Sequence, residues 1–401
     1  MRSHKVLIVS MYFPPCAAAA SHRITGLVRY LPKHNWNTIV IAPPHVHDEP
    51  TDPDLLKLIP SETNILYSVP FFDGFFGKVN RKFSPYYLWM LQVRKVCKHA
   101  ILQHQPDVVL TSFPPACMHQ LGMRIKNTFD LPWIADFRDP YPPDVHASSM
   151  VKKLFNNDSE KKIVELANVV VSTSPTNTNR LKSVYPFAVD KIKTIVNGYD
   201  PSNFKLKLSP PPRERILLLY TGELYCNRNP LGLLDALAQL ESSPPSNMSK
   251  ISFHFIGRSN LEYDLVKEVK IRGLEAIVKI DGVMPYQECL QETAQADILV
   301  LIQTEGLTSS VPAKLFEYIG AKRPILVLAD PPGDIEWLLK KSGVLYRIAP
   351  VRDVIKIKQA IKELVFAISK NNPIINHQSD LISFTREYMV QQFAILLNDM
   401  V

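Results

Sequence analysis

The chain contains little glycine and cysteine and has no long apolar run. Only 14 of its 401 residues are Gly, against 33 Pro. No uncharged apolar stretch approaches the roughly 18 residues that a membrane-spanning helix needs. The five cysteines are scattered and form no Cys-x-x-Cys pair, which argues against structural zinc and disulfides and favours a reducing compartment. We therefore expect a cytoplasmic protein.

Patterns typical of several enzyme classes are also missing. The eleven histidines show no metal-ligand spacing, and no Ser-His-Asp or Cys-His arrangement stands out. The sequence Asp52-Pro53-Asp54 has the form of a metal-binding Asp-x-Asp motif, but it lies in a polar loop without the context of such a site. We expect no obligatory metal and no cofactor.

The charge of the chain points to an anionic partner. The net charge is +8 and the pI is about 9.0, which fits nucleic acid, an anionic lipid surface or an anionic small substrate. No nucleic-acid-binding motif accompanies the charge, so we do not expect nucleic acid. Residues 71–98, the basic–aromatic segment, mix nine aromatic or apolar side chains with six basic ones, among them Lys78, Arg81 and Lys82. Such a segment fits docking on the inner face of a membrane, or an excursion whose aromatics pack on the core.

Apolar runs and helix-period patterns alternate along the chain in two series, which predicts a parallel α/β architecture. The first series has predicted strands at 5–10, 37–42, 107–111, 132–136, 168–172 and 193–196, with helices at 21–31, 115–127, 159–167 and 175–184. The second has strands at 215–221, 250–256, 277–281, 297–302 and 324–328, with helices at 230–241, 260–271, 286–294 and 312–320. The Pro-rich stretch 201–212 is the predicted linker. We expect domains at 1–205 and 206–375, and a helix in 376–401 that returns to the first domain.

The most informative stretch is residues 308–328. A small polar loop leads into Pro312, which suits a helix start, and the helix carries Lys314 and Glu317 before the strand at 324–328. Helix N–H groups and a lysine can bind phosphates, while a carboxylate can accept both hydroxyls of a ribose. The stretch therefore predicts a site for a nucleotide diphosphate.

This stretch resembles the donor-site helix of GT-B nucleotide-sugar glycosyltransferases, in particular glycosyltransferase family 4. Four further segments are similar to the family in the same order. They are Val6–Pro15 with Arg23 downstream, Asn197–Asp200, Tyr220–Leu224 followed by Arg228-Asn229-Pro230, and Phe255–Arg258. The resemblance implies two doubly wound Rossmann-like domains facing across a cleft, with the donor bound to the second and the acceptor to the first.

The resemblance also implies roles for individual residues. Arg228 and Lys314 would contact the diphosphate, and Glu317 would contact the ribose. The other residues implied in donor binding are Gly222, Arg258, Ser309, Ser310 and Val311. The two serines can contact phosphate or sugar, or they can cap the helix. This sequence departs from the family at Ser309, where a Glu is usual, at Glu223, where Arg is frequent, and at 17–20, where four Ala replace a Gly pair.

The acceptor side centres on Asp136, Arg138 and Asp139, at the end of a predicted strand. Three charges there are costly unless they are paired or contact a ligand, so we expect a catalytic role or a local ion-pair network. In the alignment on the family, Arg138 takes the position of a histidine in the catalytic site.

The expected function is transfer of a sugar from a nucleotide-diphosphate donor to a glycan or lipid-linked acceptor in surface polysaccharide or glycan biosynthesis. The resemblance implies a retaining, metal-independent enzyme. Two alternatives stay open: a sugar-nucleotide epimerase of the same fold, and a non-catalytic sugar-nucleotide-binding subunit.

Overall fold

The chain divides into two compact units, each with its own parallel sheet. The first unit comprises Met1–Asn197 and Arg386–Val401, and the second comprises Gly198–Thr385. The computed structural model describes residues 3–46, 49–68, 85–141, 157–204, 214–225, 228–242, 250–329, 333–370 and 381–401. The second unit thus begins before the expected boundary at 206 and continues beyond 375. The expected linker begins with a 3-10 turn, Pro201–Phe204, inside the second unit, and residues 205–213 lie outside the described ones.

Seven parallel strands form the sheet in the described part of the first unit. They are β1 (His4–Val9), β2 (Trp36–Ala42), β3 (Asn64–Tyr67), β4 (Val108–Phe113), β5 (Trp133–Phe137), β6 (Val169–Ser172) and β7 (Ile192–Thr194). Their order in the sheet is β3-β2-β1-β4-β5-β6-β7. Strand β1 pairs with β2 on one side and with β4 on the other, so it is an inner strand and further strands lie on both sides of it. Strands β4, β5 and β6 are buried along their whole length, because helices cover both faces of such a sheet.

Helices connect these strands. They are α1 (Ala19–Tyr30), α2 (Pro85–His104), α3 (Cys117–Phe129), α4 (Asn157–Leu166) and α5 (Pro175–Val184). Helix α5 starts where the sequence predicts, since Ser174 accepts a hydrogen bond from the Asn177 N–H and Pro175 occupies the first turn. Strand β3 and helix α2 were not predicted.

Helix α2 contains the second half of the basic–aromatic segment. The Trp89 side chain is fully buried, and its indole N–H donates to the Ser68 carbonyl at 2.9 Å. Three basic side chains of the helix are exposed: Arg94, Lys95 and Lys98. Residues 71–84 lie outside the described residues, so membrane docking stays a prediction. No helix in the described part of the chain is long and apolar enough to span a membrane.

Six parallel strands form the main sheet in the described part of the second unit. These strands are β8 (Arg215–Thr221), β10 (Lys250–Ile256), β12 (Val278–Asp281), β13 (Ile298–Ile302), β14 (Ile325–Leu328) and β15 (Tyr346–Ala349), and their order is β12-β10-β8-β13-β14-β15. A two-stranded sheet pairs β9 (Leu224–Tyr225) with β11 (Ser259–Asn260). The helices are α6 (Leu231–Glu241), α7 (Leu265–Ile271), α8 (Tyr286–Gln295), α9 (Ala313–Ala321), α10 (Asp334–Ser342) and α11 (Val354–Ser369).

The predicted helix at 260–271 is shorter than expected. Residues 259–260 pair with β9, and Asp264 then caps the helix by accepting from the Val266 and Lys267 N–H groups. The helix can therefore begin only at Leu265. Strand β15 and helices α10 and α11 were not predicted.

The last helix, α12 (Arg386–Asn398), lies in the first unit. It packs on α1, where a Cβ atom at Gly26 would lie 3.3 Å from Met389. Near the end of the helix, the Trp36 indole N–H donates to the Asn398 side-chain oxygen at 2.8 Å. The helix is shorter than the predicted 381–399, because residues 381–384 form a 3-10 turn.

Candidate functional site

The candidate donor site lies at the carboxyl edge of the second sheet, where β8 and β10 end side by side. Thr221 and Ile256 are paired in register, and the Gly222 N–H donates to the Ile256 carbonyl at 2.8 Å. Gly222 has φ of 112° and Gly257 has φ of 143°, which only glycine adopts readily. A Cβ atom at Gly257 would lie 2.0 Å from the Gly222 carbonyl oxygen, so the two turns need glycine to pack together.

Lys314 reaches this turn from the first residues of α9. Its Nζ donates to the Thr221 carbonyl at 2.6 Å and lies 4.1 Å from the centre of the Tyr220 ring. A Cβ atom at Gly222 would lie only 2.6 Å from this Nζ, so the glycine leaves room for the ammonium. Burial lowers the pKa of Lys314 well below 10.5, and the charge of Arg228 lowers it further.

Arg228 lies close to the same aromatic pair. Its guanidinium carbon is 4.5 Å from the centre of the Tyr225 ring, and it also interacts with the Tyr220 hydroxyl. Its Nε is buried without a hydrogen-bond partner. Neither Arg228 nor Lys314 forms a salt bridge with any described residue. Two cations thus lie at one turn, in contact with aromatic rings and neutral oxygens.

Helix α9 begins one residue before Lys314, and the first N–H groups of a helix have no partner within it. The N-cap residue is Pro312, which makes no side-chain cap. Ser309 and Ser310 are half-buried in the preceding loop, and Val311 is buried. The buried Gln303 amide holds this loop, since its Nε2 donates to the Ser310 carbonyl at 3.0 Å.

Glu317 lies one turn after Lys314 on the same helix. The Tyr286 hydroxyl donates to Glu317 Oε1 at 2.7 Å. The next residue, Tyr318, is fully buried, and its hydroxyl accepts from the Thr221 N–H at 3.1 Å. Tyr318 therefore anchors α9 to the end of β8, while Lys314 and Glu317 remain half-buried at its surface.

Arg258 and Glu223 lie on the neighbouring loops. The Arg258 carbonyl accepts from the Leu224 N–H at 2.9 Å, so Arg258 is next to the Gly222 turn, and it is half-buried. Glu223, which stands where the family often has Arg, accepts a hydrogen bond from the Asn260 side chain. The Glu223 carboxylate thus contacts β11, and its charge also favours the ammonium form of Lys314 by raising its pKa, which opposes the larger lowering effects of burial and Arg228.

In the first unit, Asp136 is fully buried at the end of β5. Both of its oxygens accept from the Arg23 guanidinium, at 2.8 and 3.0 Å, and Oδ2 also accepts from the Ser112 hydroxyl at 3.0 Å. Asp136 is therefore ion-paired with Arg23, a residue that the expected network did not include. With no exposed surface, Asp136 suits a positioning role rather than direct contact with a ligand.

Arg138 lies at the same edge of the first sheet. Its Nε donates to the Phe113 carbonyl at 3.1 Å and its Nη2 to the Pro114 carbonyl at 2.7 Å, and it lies over the Tyr12 ring. Burial lowers its pKa, while Asp139 and Asp136 oppose that shift. Asp139 is exposed. These contacts fix the guanidinium on the loop that follows β4.

The Asp-x-Asp sequence has a local structural role. Asp52 caps the 3-10 helix Pro53–Leu58 by accepting from the Asp54 N–H, and Asp54 pairs with Lys57. In the described part of the chain, no group of three His, Cys, Asp or Glu side chains is placed to hold a metal ion. Metal independence stays a prediction.

Sequence reasoning missed three side chains of the donor region. Tyr220, the first residue of the Tyr220–Leu224 segment, and Tyr225, which directly follows that segment, contact the two cations. Their aromatic character was the available signal. Tyr286 carries no such signal, because only the packing of α8 on α9 brings it to Glu317.

Comparisons with known proteins agree with this architecture. Residues 20–203 match the sequence model of Glycosyltransferase Family 4. A search of curated proteins gives no match to the chain.

Many solved structures match the chain, and several of them are similar over nearly its whole length. A glycosyltransferase from Rickettsia africae has 14% identity and a TM-score of 0.68, covering 100% of this chain and 99% of that one. Sucrose-phosphate synthase from Thermosynechococcus elongatus has 14% identity and a TM-score of 0.71, covering 99% of each. UDP-GlcNAc 2-epimerase from Methanocaldococcus jannaschii has 14% identity and a TM-score of 0.56, covering 98% of this chain and 99% of that one.

At this identity the structural likeness shows the fold. The resemblance expected from the sequence is confirmed, because residues 20–203 match glycosyltransferase family 4 and the chain has the GT-B fold of the glycosyltransferases to which it is similar.

Proposed function

We propose that this protein is a glycosyltransferase that transfers a sugar from a nucleotide-diphosphate donor to a glycan or lipid-linked acceptor. The donor binds to the second unit and the acceptor to the first. The same proposal includes three further properties. The enzyme retains the anomeric configuration, needs no metal, and acts in surface polysaccharide or glycan assembly at the cytoplasmic face of a membrane. These properties rest on the family resemblance and on the basic charge of the chain.

One observation supports the proposed donor site most strongly: two cations lie at a glycine turn beside a helix start. Burial lowers the pKa of Lys314, and the nearby charge of Arg228 lowers it further. Neither residue forms an ion pair with an acidic side chain among the described residues. Like charges held together in a half-buried place are costly unless an anion joins them. A diphosphate is such an anion, and the N-terminus of α9 adds a favourable dipole.

The same groups support the chemistry. When the bond between sugar and diphosphate breaks, negative charge grows on the leaving phosphate. Arg228, Lys314 and the first N–H groups of α9 would stabilise this charge, which is the usual way in which preorganised donors accelerate a reaction. Glu317 would hold the ribose hydroxyls, and Ser309, Ser310, Arg258 and Val311 would line the donor. Arg138 and Asp139 would contact the acceptor, with Asp136 positioning the end of β5.

Two other functions fit the same fold. An epimerase would act on the donor sugar alone and would need acid and base groups around it. A binding subunit would hold the nucleotide sugar without reaction. The feature that favours this function is Ser309, which stands in place of the usual Glu.

Incubation of the purified protein with UDP-, GDP- and ADP-sugars separates the three functions. A glycosyltransferase should release nucleoside diphosphate, by transfer or slow hydrolysis, and Lys314→Ala should abolish the release. An epimerase would change the sugar without releasing diphosphate, and a binding subunit would give neither product while still binding the donor. Either of these two outcomes would contradict the proposal.

A further inference from the structure

A chain of two hydrogen bonds connects Glu317 to the segment that opens the second unit. The Tyr286 hydroxyl donates to Glu317 Oε1 at 2.7 Å, and the Asn203 side-chain amide donates to the Tyr286 oxygen at 3.2 Å. The three residues come from three elements: the Pro201–Phe204 turn, α8 and α9. Each donor has a defined acceptor, so the direction of the chain runs from Asn203 to the carboxylate.

The turn that carries Asn203 is itself well fixed. Asp200 is buried, and its Oδ1 accepts from the Ser202 N–H at 2.9 Å and from the Ser202 hydroxyl at 2.7 Å. The Asp200 carbonyl accepts from the Asn203 N–H at 3.0 Å. One residue earlier, the Tyr199 N–H donates to the Phe384 carbonyl at 2.9 Å. The Asn203 side chain therefore extends from a backbone that several hydrogen bonds hold in place.

The same segment packs directly against the backbone of α9. A Cβ atom at Gly320 would lie 2.6 Å from the Tyr199 ring and 2.9 Å from the Phe204 ring. Glycine at this position lets both rings contact the helix. Residues 199–204 thus support α9 in two ways, through the helix backbone at Gly320 and through the Glu317 side chain by way of Tyr286.

We propose that Tyr286 is a positioning residue for recognition of the donor ribose. This inference rests on the proposed function, in which Glu317 accepts hydrogen bonds from the ribose hydroxyls. A glutamate side chain has several rotamers, and fixing one of them before the ligand arrives removes an entropic cost of binding. The hydrogen bond from Tyr286 is charge-assisted and fixes the carboxylate plane. A carboxylate has about four lone-pair sites, so it can still accept two hydroxyls.

Tyr286→Phe tests this role because it removes only the hydroxyl. Binding of UDP, GDP and ADP to the full chain is measured by calorimetry, and the tightest of these is compared with its 2′-deoxy form. Tyr286→Phe should weaken ribonucleotide binding by roughly three- to ten-fold and weaken binding of the deoxy form less. The ratio of the two affinities should therefore shrink. Asn203→Ala should act in the same direction with a smaller effect.

Tyr346→Phe is the matched control, because it removes a tyrosine hydroxyl elsewhere in the same unit. Tyr346 lies on β15, and besides burial the charges of Glu336 and Lys340 on α10 act on its hydroxyl. It should leave the affinity ratio unchanged. Glu317→Gln should reduce the ratio at least as much as Tyr286→Phe does.

Two results would overturn the positioning role while leaving the proposed function intact. One is a wild-type affinity ratio in Tyr286→Phe together with a reduced ratio in Glu317→Gln. The other is an equal loss for both nucleotide forms accompanied by a lower melting temperature, which indicates general damage to α8. If the wild-type protein binds none of the three nucleotides, the proposed function itself fails, and the positioning role fails with it.

Discussion

In the first unit, the Arg23 guanidinium donates to both carboxylate oxygens of Asp136, although the two residues lie 113 positions apart. Neither side chain is appreciably exposed. Arg23 also donates to the Ile195 and Val196 carbonyls, at 3.0 and 3.2 Å. The pair therefore joins α1, the end of β5 and the segment after β7 at one buried point.

Removal of one member of this pair should destabilise the first unit strongly. Arg23→Met leaves Asp136 buried without its partner, which typically costs about 3–5 kcal/mol. The double variant Arg23→Met/Asp136→Leu should recover much of this loss, because no buried charge remains. Urea unfolding followed by tryptophan fluorescence suits this test, since three of the four tryptophans lie in the first unit: Trp36, Trp89 and Trp133. A midpoint for Arg23→Met that equals the wild-type value would show that the pair is dispensable.

The two cations of the donor site should each contribute to diphosphate binding. A charged hydrogen bond is worth roughly 1.5–3 kcal/mol, so Arg228→Ala or Lys314→Ala should weaken binding of the preferred nucleoside diphosphate about ten-fold or more. Calorimetric titration measures the effect. Lys362→Ala, which removes an exposed lysine of α11, is the matched control and should bind normally. Unchanged affinity in both site variants would show that the diphosphate does not bind at this turn.

Diphosphate affinity should depend on pH through Lys314. Burial and the charge of Arg228 lower the pKa of Lys314 in the free protein, and a bound diphosphate favours the ammonium and raises that pKa again. Binding then takes up a proton between the two pKa values, so affinity should rise as pH falls through this window and decline as pH rises. Lys314→Arg stays charged and should flatten the dependence. Titrations in buffers of different ionisation enthalpy measure the proton uptake directly, and equal apparent enthalpies in all buffers would contradict it.

Membrane docking by the basic–aromatic segment remains a prediction from the sequence. Each basic side chain near an anionic surface contributes about 1 kcal/mol, screened by salt. Lys78→Ser/Arg81→Ser/Lys82→Ser should therefore weaken co-sedimentation with anionic vesicles at low salt without lowering thermal stability. A triple Ser variant at Lys356, Lys358 and Lys362, on α11 of the second unit, is the control. Equal binding to anionic and neutral vesicles, or binding to neither, would leave these residues without a membrane role.

Much of the fold could be predicted because its signals are local. The strands of both sheets are short apolar runs, and starts such as Ser174-Pro175 mark helices directly in the sequence. The Gly222 turn and the helix with Lys314 and Glu317 could also be identified as a candidate site, because diphosphate binding favours backbone freedom, a helix start and a cation within a short stretch. Elements with weaker local signals, such as α2 and β3, were missed.

The sequence by itself determined the order of the elements, the two series and the candidate donor loop, because each depends on residues that are neighbours along the chain. Only the tertiary structure decided which side chains meet. It paired Asp136 with Arg23 and placed Tyr220 and Tyr225 against the cations of Lys314 and Arg228. It also connected Glu317 to Asn203 by hydrogen bonds through Tyr286. Most of these contacts join residues that are far apart in sequence. Their geometry follows from how strands and helices pack, which no local pattern encodes.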